Sequence, residues 1–187
     1  MREKISRHFL LASLLIAAPP SAARAAGTAW LAYPDGGRIV ALPLDRPGDA
    51  SVVAPGGASD FAPSLALGDD GLPAAAWLAE DGAVAFSRFD GRSWSAPETV
   101  CANRGSNRGL PTLVAAGGPP AVAWAEEAGG GFEDVFYALR SGNGWGAPVR
   151  AHEENLVPDI MPSARAGAGG ARGLSWQTDD GSRYVER

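Results

Sequence analysis

The chain has 187 residues, 21 acidic against 16 basic, a formal net charge of −5 and a single cysteine. That length suits one ordinary domain with its own core, and one cysteine excludes an internal disulfide. An acidic surface without basic clusters repels phosphate backbones, so nucleic acid is excluded as a partner.

At the N-terminus, Arg2, Lys4 and Arg7 precede an apolar run from Phe9 to Ala18, then small residues and Ala23-Arg24-Ala25. This reads as a secretory signal peptide over residues 1–25. The run is far shorter than the roughly eighteen residues of a membrane span and no later segment comes closer. The expectation is an exported protein, periplasmic or extracellular, with no transmembrane segment. The lack of a cysteine near the cleavage point argues against a lipid anchor. Removing 25 of 187 residues leaves 162, with 12 basic and 20 acidic side chains and a net charge of about −8 with His neutral.

From residue 26 to 187 the sequence repeats itself. Pro63-Ser64-Leu65-Ala66-Leu67 leads through Ala75-Ala76-Trp77-Leu78-Ala79 and Val84-Ala85-Phe86-Ser87-Arg88 to Asp90-Gly91-Arg92-Ser93-Trp94. A second copy runs from Pro111-Thr112-Leu113 through Trp124 and Val135-Phe136-Tyr137 to Gly142-Asn143-Gly144-Trp145. Prolines 63, 111 and 162 and tryptophans 30, 77, 124 and 176 mark a period near fifty, which signals a repeat architecture with units at about 28–60, 61–109, 110–160 and 161–187.

Within a unit, short apolar runs alternate with turn signals such as Asp69-Asp70-Gly71 and Gly117-Gly118-Pro119-Pro120, the punctuation of antiparallel hairpins. No segment after the leader has a capped apolar repeat at helical spacing, so helices should be rare or absent. The first full copy yields strands A to D at 64–67, 74–79, 83–89 and 96–101, and the second at 112–115, 121–125, 134–140 and 147–151. The N-terminal unit offers B, C and D at 29–33, 38–44 and 50–54, and the C-terminal unit A, B and C at 163–166, 173–177 and 183–186. The fold class expected is all-β, a β-propeller-like array of about three to four four-stranded blades, incomplete or open. Open blade edges invite self-association.

Ser87 to Trp94 resembles the Asp-box, the bacterial neuraminidase repeat of sialidase-type propellers, whose pattern is Ser-x-Asp-x-Gly-x-Thr-Trp. Ser87, Gly91, Ser93 and Trp94 fall in place, Asp90 sits one position late, and the second copy keeps Gly142 and Trp145. The box is a folding device. Its Gly permits a positive φ between strands C and D, its polar side chains satisfy turn amides, and its Trp packs back between blades. The resemblance implies a sialidase-like fold. It implies an arginine cluster, a tyrosine nucleophile and an acid only for catalytic members, and no motif puts Tyr33, Tyr137 or Tyr184 in that role.

The remaining candidates are weighed by residue type. Trp30, Trp77, Trp124 and Trp176 share one repeat position. They read either as wedges between blades or as an aromatic ring stacking on sugar faces. Arg88, Arg140 and Arg187 end strand C in three units and could pair with carboxylated sugars, or be solvated. The acidic pairs Glu126-Glu127, Glu133-Asp134 and Glu153-Glu154 lack calcium-loop spacing and read as solvated loop acids. His152 lacks the second His of a zinc helix, and no Gly-x-Ser-x-Gly elbow accompanies it. Cys101 reads as a small buried hydrophobe. No metal or cofactor is expected. The function expected is a non-catalytic binding or scaffold module for a glycan or protein ligand, the alternative being a sialidase-like glycoside hydrolase or a fragment of one.

Overall fold

The computed structural model describes residues 13–15, 28–59, 61–102, 109–128, 131–179 and 184–186. Most of the expected leader, and Arg187, therefore lie outside the described residues. The fold is all-β, in four antiparallel sheets laid down in chain order. Two short 3-10 turns, Pro47–Asp49 and Ala168–Gly170, are the helical geometry among the described residues.

The first sheet contains β1 (Ser13–Leu15), β2 (Trp30–Asp35), β3 (Arg38–Pro43) and β4 (Ser51–Ala54) in that order. The second contains β5 (Ser64–Leu67), β6 (Pro73–Leu78), β7 (Val84–Arg88) and β8 (Glu98–Cys101). In the third, β9 (Thr112–Val114), β10 (Ala121–Glu127) and β11 (Glu133–Ser141) are followed by β12 (Gly144–Trp145) and β13 (Val149–Arg150), which both pair with β11. The fourth contains β14 (Asp159–Ala166), β15 (Arg172–Asp179) and β16 (Tyr184–Glu186), so it begins two residues before the boundary expected at 161. No sheet closes on itself. The strand position that the first unit lacked in sequence is taken by Ser13–Leu15, which pairs with β2 from Ser13↔Ala32 to Leu15↔Trp30.

Small residues explain how the sheets stack. Strand β6 is buried at every position. Ala75 and Trp77 pack with Trp30, Ala32, Ile39 and Ala41 of the first sheet. Ala74 and Ala76, on the opposite side of the pleat, pack with Leu113, Val122 and Trp124 of the third. Alanine on both faces lets two neighbouring sheets approach the same strand, which a Leu- or Ile-rich strand would hold apart. Cys101 is buried in the second of these clusters.

The opening strands of successive sheets are spatial neighbours, β1 beside β5, β5 beside β9, and β9 beside β14. A repeated hydrogen bond ties them. Ser64 Oγ accepts from the Leu113 amide at 3.1 Å, and Thr112 Oγ1 accepts from the Ala164 amide at 3.1 Å. The hydroxyls after Pro63 and Pro111 thus each serve an amide on the next sheet's first strand.

Candidate functional site

The periodic tryptophans are not one ring. Trp77, Trp124 and Trp176 share a position, each following the residue that pairs with the opening hydroxyl residue of its sheet: Ala76 with Ser64, Ala123 with Thr112, and Ser175 with Ser163. Trp30 does not share it. It pairs with Pro43 at the open end of its hairpin, because the tight Gly36-Gly37 turn sets a different register. The expectation of four equivalent sites is corrected on this point. Trp77 and Trp124 are 2% and 0% exposed, which leaves no ring face for a sugar. Removing a buried Trp typically costs about 3–5 kcal/mol, so their packing role outweighs any platform role.

The turn from Asp90 to Trp94 is held together by its own polar groups. Asp90 Oδ1 accepts from the amides of Arg92 and Ser93, both at 2.8 Å, and Gly91 adopts φ 98°. Those two amides, Ser93 first, hold the exposed Asp90 carboxyl below its usual range. Trp94 packs back on Trp30 and donates from Nε1 to Ser51 Oγ at 3.0 Å. In the next unit Trp145 meets Phe86 edge-on at 5.1 Å.

Arg88 and Arg140 come together, but not as equivalents. The Phe89 amide donates to the Pro73 carbonyl as the Arg140 amide does to that of Pro120, so Arg140 matches Phe89 and the two arginines sit one residue out of register. Both line one cavity of about 410 Å³ on the second sheet, beside Phe86, Asp70, Asp90 and Glu98. Arg140 makes a bidentate pair with Glu98, Nε to Oε2 at 3.1 Å and Nη2 to Oε1 at 2.9 Å. Arg88 Nη2 meets Asp70 Oδ2 at 2.6 Å. Burial pushes the Asp70 carboxyl up, but the Leu72 amide and Arg88 outweigh it and hold the group below its usual range. Two cations against three carboxylates leave the cavity without a positive field for an anion, while each guanidinium carries more N–H groups than its carboxylate partner takes up.

A second cluster lies where the third sheet meets the fourth. Asp134 opens β11's buried stretch, His152 follows β13, Asp159 begins β14, and Trp176 sits on β15. Asp134 and Glu126, expected among solvated loop acids, are each 3% exposed, and Asp159 is 1% exposed. Burial pushes the Asp134 carboxyl above its usual range, against the pull of Arg150. Arg150 Nε meets Asp134 Oδ2 at 3.2 Å. Asp159 accepts from Trp176 Nε1 at 2.9 Å and Asn155 Nδ2 at 2.7 Å, and the His152 ring stacks on Trp176 at 5.3 Å. Residue 161, a methionine with φ 51°, marks the bulge in β14 just after Asp159.

The pieces of this cluster stand at 134, 152, 159 and 176, too far apart for any local motif. A signal did exist in the repeat. Asp134 and Glu126 occupy the places that Ala83 and Ala79 hold one unit earlier, each acid replacing a small apolar residue of the copy. No protein-family model and no curated protein matches the chain.

Proposed function

We propose that the chain is an exported, non-catalytic binding module built as a short array of sialidase-like propeller blades, and that it takes a neutral glycan. The order of four sheets with their opening strands side by side supports the blade reading. The degenerate Asp-box turn supports the relationship to sialidase-type repeats. The observation that carries the ligand class is the cavity of about 410 Å³ whose arginines are already matched by Glu98 and Asp70. Paired charged groups with spare donors suit hydroxyl-rich, uncharged ligands and give no advantage to a carboxylated sugar.

The glycosidase alternative draws no support from the buried acids Asp134 and Asp159. Asp134 and Asp159 approach each other closely, but both are buried beneath their hydrogen-bond partners. Glycosidic carboxylates must flank an open cleft that admits a sugar ring.

A glycan array probed with the full chain tests the proposal. Retention of neutral oligosaccharides, weakened about tenfold or more in an Arg88→Gln, Arg140→Gln variant, is the expected result, since two lost polar contacts at about 0.7 kcal/mol or more each come to about 1.4 kcal/mol. Retention of sialylated glycans alone, or of none, would refute it.

A further inference from the structure

Three electron-rich atoms converge at the boundary of the third and fourth sheets, away from the cavity just described. His152 Nε2 lies 3.5 Å from Asp159 Oδ2 and 3.9 Å from Asp134 Oδ1, and all three lie within 4.8 Å of one another. The imidazole's hydrogen is accounted for on its other side. Nδ1 contacts the Glu153 carbonyl oxygen at 2.8 Å, which can only accept, so Nδ1 donates. The Val135 amide makes only a long contact to Nε2, at 3.4 Å, which assigns the lone pair to Nε2 and is weak enough to yield to a metal ion. A lone pair set among two buried carboxylates is an electrostatic cost that a proton or a metal ion relieves, and with the ring hydrogen already on Nδ1 a metal ion is the cation that fits.

The geometry points to a divalent transition metal of the zinc type bound by Asp134, His152 and Asp159. Bonds of about 2.0–2.2 Å from nitrogen and oxygen to zinc place tetrahedral ligand atoms about 3.3–3.6 Å apart. That matches the 3.5 Å from His152 to Asp159 and falls a little short of the 3.9 Å from His152 to Asp134. Each ligand already has an orienting partner of the kind such sites use: the Glu153 carbonyl on His152, Arg150 on Asp134, and Trp176 and Asn155 on Asp159. Three protein ligands leave a fourth position for water. Because Asp134 and His152 belong to the third unit and Asp159 to the fourth, the ion pins the last sheet to the array. The mixed nitrogen and oxygen donor set favours zinc over calcium, which takes six to eight oxygens.

The test uses the full chain without a polyhistidine tag and zinc chloride alone. The sequence has two histidines, so the ring signals of His152 are identified by comparison with a His8→Gln variant. One equivalent of zinc should bind and shift the His152 Nε2 resonance, and cobalt in its place should give tetrahedral d–d absorption. Asp159→Asn and His152→Gln should each weaken binding at least a hundredfold, and His8→Gln should leave it unchanged. The native chain itself decides the question should those variants unfold. No zinc bound at 100 μM, a His152 ring that ignores zinc, or binding that disappears with His8 overturns the proposal.

Discussion

At the scale of single residues, charged groups in this protein are spent on turns and neighbours. Asp90 is the clearest case, an exposed carboxylate bonded to two amides of its own turn. Its carboxyl is held below the usual 3.8. A group whose folded value is depressed stabilises the fold above its unfolded value and loses that contribution as pH falls through the folded one. Asp90→Asn keeps the acceptor and removes the charge. Its stability, followed by urea unfolding, should therefore fall less than that of the parent between about pH 4 and pH 2. Parallel pH profiles for the two proteins would contradict the role given to the amide bonds. Arg140 pairs its charge with a neighbour, Glu98, so an arginine that reads in sequence as an anion ligand is half of a neutral pair.

At the scale of elements, the proline rhythm acquires a purpose. Each periodic proline introduces a hydroxyl residue, and two of these hydroxyls, Ser64 and Thr112, bond the next sheet's opening strand. Proline has no N–H to leave unpaired at the strand start, and the hydroxyl serves an amide in the following sheet. Thr112→Val preserves shape and β-propensity but strands the Ala164 amide. The expected loss is about 1–3 kcal/mol, read as a lower urea midpoint at unchanged slope. Ser64→Ala should not simply add to it, since Ser64 bonds Leu113, the residue next to Thr112 on the same strand, and a double-mutant cycle should show coupling between the two. A Thr112→Val protein as stable as its parent would show the bond to be incidental.

At the scale of the molecule, the sheet contacts are unequal. Buried apolar clusters join the first sheet to the second and the second to the third. The third and fourth meet instead around a cavity of about 190 Å³, lined by Tyr137, Leu139, Arg172 and Leu174 among others, and around the Asp134, His152 and Asp159 cluster. Strand β15 is only half-buried along most of its length, whereas β6 is buried throughout. Less apolar area removed from water means less stabilisation of that sheet. In metal-free buffer, amides of β14 and β15 should exchange at least tenfold faster than those of β6 and β10 in hydrogen-exchange mass spectrometry. Equal protection across all four sheets would mean that the array opens only as one unit.

Much of the architecture was open to reading from the chain. Repeating apolar runs and Gly-rich turns determine short antiparallel strands, and their period determines how many sheets there are, because strand and turn preferences act within a few residues. Local spacing does not determine register across a hairpin. One two-residue turn at Gly36-Gly37 moved Trp30 away from its counterparts, and one residue of slip separated Arg140 from Arg88. Nor does it determine which acids are buried, since that depends on where the next sheet lies. Asp134, His152 and Asp159 belong to no local pattern and became neighbours only when the fourth sheet folded against the third. The occupancy of the first sheet's edge by Ser13–Leu15 is likewise a tertiary outcome, an unpaired ladder satisfied by the strand within reach.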